Sequence, residues 1–197
     1  YGEAIRISPS RAIYYLQRAE QYWAADEYDA ALADCDTALR LVPDLKSAHG
    51  LRGAVYLALD QMDLAVRDCS QAIEAGDAPP QVYLTRAEAY LGLEQWEQAL
   101  DDAEIAVERA ADSAAAWKCR GLIRARLEQF EQAISDFDEA IRLAPDQPAL
   151  WCHRAALHRD VEHRDVRNEL RCAHEGPFSV LRFARDLHVR LPAQQSL

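Results

Sequence analysis

The sequence predicts an all-α protein, a solenoid of antiparallel helix–turn–helix hairpins finished by a C-terminal capping helix. Three observations predict it. Strong helix formers (Ala, Leu, Glu, Arg and Gln) dominate the 197 residues, while Gly and Pro number only 7 and 8. The chain repeats itself every 34 residues without gaps, from starts at Ala12, Lys46, Pro80, Ala114 and Pro148. The shared columns are alternately small and large, as helices that approach closely require.

Residues 1–11 match positions 24–34 of the repeat, with Ala4 at 27 and Pro9 at 32. They read as the second helix of a truncated upstream repeat, a lone N-terminal cap helix being the alternative. Full repeats follow at 12–45, 46–79, 80–113 and 114–147. Position 8 reads Ala19, Gly53, Ala87, Gly121 and Ala155; position 20 reads Ala31, Ala65, Ala99 and Ala133; position 27 reads Ala38, Ala72, Ala106 and Ala140. Large residues stand at position 4 (Tyr15, His49, Tyr83, Trp117, Trp151) and position 17 (Tyr28, Met62, Trp96, Phe130). Cys35 and Cys69 occupy position 24 as core fillers. Pro43 and Pro145 at position 32 stop second helices. The fifth repeat, 148–176, is degenerate: the turn looks one residue short, and Val166, Leu170 and Ala173 supply the apolar stripe of its second helix. After Gly176-Pro177, residues 177–191 read as the capping helix, with Phe178, Leu181, Ala184 and Leu187 on one face and Arg182, Arg185 and Arg190 on a solvated one.

These columns resemble the tetratricopeptide repeat, a helix–turn–helix unit of 34 residues with this order of aromatic and small positions. The resemblance implies a single solenoid domain over 1–197, wound as a right-handed superhelix. It also implies that the first helices line a concave groove where a partner peptide or helix lies. The residues it places there are Ile13, Leu16, Gln17, Glu20 and Trp23; Ser47, Leu51, Ala54 and Leu57; and Gln81, Leu84, Thr85, Glu88 and Leu91. Lys118, Cys119, Leu122 and Arg126 follow, then Cys152 and His153. Leu16, Leu51, Leu84 and Leu122 are either apolar anchors for the partner or packing between hairpins. Relatives that clamp acidic chaperone tails carry Lys, Asn and Arg at set positions. In every register this chain offers residues such as Leu16, Glu20, Gln81 and Thr85 there instead, which excludes that function.

The most regular polar feature is a double ladder. Position 7 is Arg18, Arg52, Arg86, Arg120 and Arg154; position 23 is Asp34, Asp68, Asp102 and Asp136, with Glu169 in the shifted fifth repeat. Arginine pairs with carboxylates through two parallel hydrogen bonds, so the ladder reads as ion pairs tying first to second helices. The rival reading is a binding strip for an acidic ligand.

Composition excludes other functions. The net charge is −11, distributed as −5, −2, −6 and −1 over the four repeats and +2 over 148–197; an acidic middle repels phosphate backbones, so no nucleic acid is expected. The five cysteines form no C-x-x-C pair and suit free thiols. No apolar run reaches membrane-spanning length, so a cytoplasmic protein without membrane contact is expected. Neither a phosphate loop nor a catalytic motif occurs, and His153, His158 and His163 are spaced off any shared helical face. The expectation is therefore no enzyme, no cofactor and no metal, but a scaffold that binds another protein in its groove. Two further readings stand beside it. The chain could be the regulatory or docking arm of an enzyme whose catalytic domain lies upstream of Tyr1. It could also be a self-assembly module, a homo-oligomer formed through the open N-terminal repeat.

Overall fold

Residues 2–3, 8 and 10–175 are described by a computed structural model, with side chains as far as Arg164. Among them, nine α-helices follow one another without a strand: α1 (Ala12–Ala24), α2 (Tyr28–Leu41), α3 (Lys46–Ala58), α4 (Met62–Glu74), α5 (Pro80–Gly92), α6 (Trp96–Arg109), α7 (Ala114–Arg126), α8 (Phe130–Leu143) and α9 (Pro148–Glu175). Each first helix packs on the second helix of its own hairpin: α1 on α2, α3 on α4, α5 on α6, α7 on α8. Each second helix then packs on the next first helix, and α9 lies on α8. The first helices also touch one another, α1 to α3, α3 to α5 and α5 to α7. They form the tighter row, which places them on the inner side of the stack.

Helix starts and stops follow local chemistry. Pro80 and Pro148 open α5 and α9, where a missing N–H costs nothing. Ser113 caps α7, its hydroxyl accepting from Ala116 N–H at 3.3 Å. Every first helix of the four hairpins ends the same way, on a residue with positive φ: Asp26, Asp60, Glu94 and Glu128. The next N–H folds back to the carbonyl five residues earlier, as in Glu27 to Tyr22 at 2.8 Å and Gln129 to Arg124 at 2.8 Å. This is the Schellman closure, and it satisfies carbonyls that the helix end would leave bare.

The small columns fill the seams. Ala19, Ala31, Ala38, Ala65, Ala72, Ala99 and Ala133 are buried completely. Position 8 is matched to position 24 of the same hairpin. A methyl on Gly53 would sit 2.7 Å from Cys69 Sγ, and one on Gly121 3.0 Å from Phe137 Cε2. Hairpin three balances differently, with Ala87 paired to the small Ala103, both fully buried. Phe137 in turn joins Ile141, Leu150 and Leu157 in the cluster that seats α9 on hairpin four.

The fifth repeat differs from the expectation of a hairpin over 148–176. α9 runs unbroken from Pro148 to Glu175. At position 17, where the other turns seat an apolar side chain, the fifth repeat has Arg164. Its guanidinium lies over the Phe130 ring at 5.1 Å and pairs with Glu131. No Gly or Pro interrupts the segment before Gly176, so nothing stops the helix. The side chains of Val166, Glu169, Leu170 and Ala173 and the proposed cap at 177–191 lie outside the described residues, as does most of 1–11.

Candidate partner-binding groove

The inner row carries a depression of about 520 Å³ spanning α1, α3 and α5. It lies over Gly50, Leu51, Ala54 and Val82, with Trp23 and Gln81 at its walls and Glu20 and Lys46 at its rim. Its origin is legible in one column. Position 5 of the repeat reads Leu16, Gly50, Leu84 and Lys118, so the second hairpin alone lacks a side chain there. The gap lets α3 and α5 close up, since a methyl on Gly50 would meet Val82 Cγ2 at 3.0 Å. Trp23 stands at the wall 41% exposed. An indole so placed leaves a large apolar side chain exposed beside the depression.

The residues expected in the groove divide by burial. Leu16, Leu84, Thr85 and Cys119 are buried between helices, and Thr85 donates its hydroxyl to the Gln81 carbonyl at 2.9 Å. Gln17, Leu51, Ala54, Leu57, Glu88, Leu91, Lys118 and Leu122 are half-buried; Ile13, Glu20, Trp23, Ser47, Gln81, Arg126, Cys152 and His153 are exposed. Arg126 is drawn off toward the hairpin tips, its guanidinium 5.9 Å from the Trp96 ring centroid. His153 stacks on Phe137 with centroids 5.5 Å apart. Five contributors to the depression were not among the residues expected in the groove: Ala24, Lys46, Gly50, Pro79 and Val82.

The arginine and aspartate columns meet. Arg18 donates to Asp34 at 2.6 and 2.7 Å, Arg52 to Asp68 at 2.5 and 2.8 Å, and Arg86 to Asp102 at 2.7 and 2.8 Å. Arg120 holds Asp136 from Nη2 at 2.7 Å, and Arg124 adds a bond of 2.9 Å to the same carboxylate. Sixteen residues separate each arginine from its aspartate, which ties the two helices of one hairpin. A second leg reaches the hairpin before: Arg52 to Asp36 at 2.6 Å, Arg86 to Ser70 at 3.0 Å and Arg154 to Asp138 at 2.6 Å. Hydrogen bonding to these partners raises the Arg18, Arg52 and Arg86 pKa values. Position 4 makes a further tie. Trp117 Nε1 donates to the Ala111 carbonyl at 2.9 Å, Trp151 Nε1 to Pro145 at 3.2 Å and His49 Nε2 to Pro43 at 2.9 Å.

Burial governs the remaining electrostatics. Burial pushes the Cys35, Cys69 and Cys119 thiols up to about 12, where they hold their protons. Glu88 is held above the usual carboxylate range, first by burial, with Lys118 pulling in the opposite direction. Among the described residues, no group of His, Cys, Asp or Glu could hold a metal ion, and no helix is long and apolar enough to cross a membrane.

Fold and groove together define a helical-repeat solenoid whose first helices form an inner row that carries the depression. The chain belongs to the tetratricopeptide repeat family, whose model matches residues 16–80 and 84–148. A curated relative is the Small glutamine-rich tetratricopeptide repeat-containing protein 2 of Saccharomyces cerevisiae, 42% identical over 43 residues. That match spans 22% of this chain and only 12% of the yeast protein. Among solved structures, YrrB, described as a TPR protein with an unusual peptide-binding site, superposes with a TM-score of 0.70 at 24% identity. The match covers 83% of this chain and 84% of that one. The Cut9–Hcn1 hetero-tetramer of the APC/C gives a TM-score of 0.75 at 15% identity, over 80% of this chain and 32% of that chain. At these identities the structural likenesses establish the fold.

Proposed function

We propose that the chain is a non-catalytic protein-interaction scaffold that holds a segment of a partner protein along its inner row of first helices. The observation that carries this reading is the apolar depression over Gly50 and Leu51, walled by the exposed Trp23. An extended or helical segment with one large apolar side chain would bury its anchor there and lay its polar groups against Gln17 and Gln81. Buried, protonated thiols and the ion-paired arginine ladder leave the inner face to recognition rather than reaction. YrrB, one protein of this fold, is described as having a peptide-binding site.

Site-specific photocrosslinking tests the reading in the full-length protein within its native cell. A photoreactive residue at Ala54, in the depression, should couple a partner that one at Arg67, on the second helix α4, does not. Coupling from Arg67 with none from Ala54 would overturn the groove assignment.

A further inference from the structure

Charge along the inner row follows a pattern that the apolar depression does not explain. Apart from Lys118, which lies close enough to Glu88 to act on it electrostatically, the cations of this row named above are already engaged. Arg18, Arg52, Arg86 and Arg120 are held by aspartates. Lys46, at the rim, sends its ammonium to the Gly76 and Asp77 carbonyls at 3.3 and 3.2 Å, where the end of α4 concentrates negative potential. Arg126 lies over Trp96. The carboxylates are not so matched. Glu20 is exposed at the rim of the depression, and Glu88 lies one turn beyond Thr85 on the same face of α5. Among the described residues neither joins an ion pair, although Lys118 is near enough to influence Glu88. The surrounding hairpins carry −5, −2 and −6, a field that draws cationic segments inward and repels acidic ones.

We infer that the groove takes a basic segment, seating one apolar side chain over Gly50 and Leu51 and setting flanking lysine or arginine cations against Glu20 and Glu88. The inference rests on the groove reading proposed above. It has a physical motive at Glu88, a half-buried carboxylate short of hydration: a cation brought beside it supplies the compensation that water does not. The competing occupants are a neutral apolar peptide and a second copy of the chain, whose residues 148–197 carry +2.

Amidated synthetic peptides serve as probes, sharing a central Leu-Phe pair flanked on both sides by arginine, by serine or by glutamate. Titrated into the full chain at low salt, the arginine peptide should bind about tenfold or more tighter than the serine peptide, and the glutamate peptide weakest. The preference should shrink as added salt brings the screening length below about 10 Å. Glu20→Gln and Glu88→Gln should each weaken the arginine peptide by about fivefold while leaving the serine peptide unchanged. Glu88 is ionised above its raised pKa and neutral below it. Affinity for the arginine peptide should therefore fall on acidification before ordinary glutamates protonate, and Glu88→Gln should remove that early fall. Trp23→Ala should weaken all the peptides, with folding checked by circular dichroism. If Trp23→Ala weakens them all but arginine and serine peptides bind alike, the groove stands and the basic preference fails. If the arginine peptide ignores Trp23→Ala, both readings fail. No binding by any probe, or a dimer seen by light scattering that the probes dissociate, also overturns the inference.

Discussion

Arg52→Ala lowers the stability of the chain by about 3–5 kcal/mol, several times the cost of losing a surface ion pair. The size follows from where its partner sits. Asp68 is wholly buried, and two of Arg52's three hydrogen bonds end on it, at 2.5 and 2.8 Å. The third crosses to Asp36 on the preceding hairpin. Without the guanidinium, the Asp68 carboxylate keeps, among the described residues, only His49 Nδ1 nearby, at 3.5 Å. An uncompensated buried charge is what makes such deletions expensive. The thermal midpoint should fall by about 10 °C or more. Replacing both partners, Arg52→Met with Asp68→Leu, should recover most of the loss, because the penalty lies in the orphaned charge and not in the lost pair. A loss below about 1 kcal/mol for Arg52→Ala, read from urea unfolding, would show that water reaches Asp68 and that the ladder is decorative.

Phe137→Ala should cost a comparable amount, about 3–5 kcal/mol, by opening a cavity where hairpin four meets α9. Phe137 is fully buried with Ala133, Ala140, Ile141, Leu150 and Leu157 around it, and its ring stacks on His153. The effect should be regional, since each hairpin touches chiefly its neighbours. Amides of α9 should lose protection from hydrogen exchange while those of α1–α4 keep theirs. Adding Gly121→Ala should restore about 1 kcal/mol, through helix propensity and partial filling of the cavity. That pair recreates the combination hairpin three already uses, Ala87 against Ala103. Unchanged exchange in α9 would show that Phe137 does not seat it.

Much of this architecture is legible in the columns, because repetition turns one packing solution into a pattern. The small residues at positions 8, 20 and 27 mark the seams, and the arginine and aspartate columns run in step because the helices they join are in register. What was not legible depends on atoms that the column averages hide. The depression exists because position 5 is glycine in one repeat, and a missing side chain announces itself only against its neighbours Leu16, Leu84 and Lys118. The arginines' second leg needs the fourth dimension of the stack, the previous hairpin, which no single repeat contains. The Trp117 and Trp151 N–H groups close carbonyls at the ends of second helices, although bulk alone suggested gap-filling. The Schellman turns sit on Asp and Glu rather than on glycine, so the usual signal was absent. The fifth repeat misled for a related reason: its apolar spacing continued past the point where a turn was expected, and continuity of helix satisfies that spacing equally well.

The central claim is that the inner row holds the partner. Hydrogen–deuterium exchange, with and without the partner recovered through the Ala54 crosslink, tests it most directly. The account predicts slowed exchange in α1, α3 and α5, centred on the residues around Trp23, Leu51 and Gln81, with the second helices α2, α4 and α6 unchanged. Protection confined to α2, α4 and α6 would contradict it.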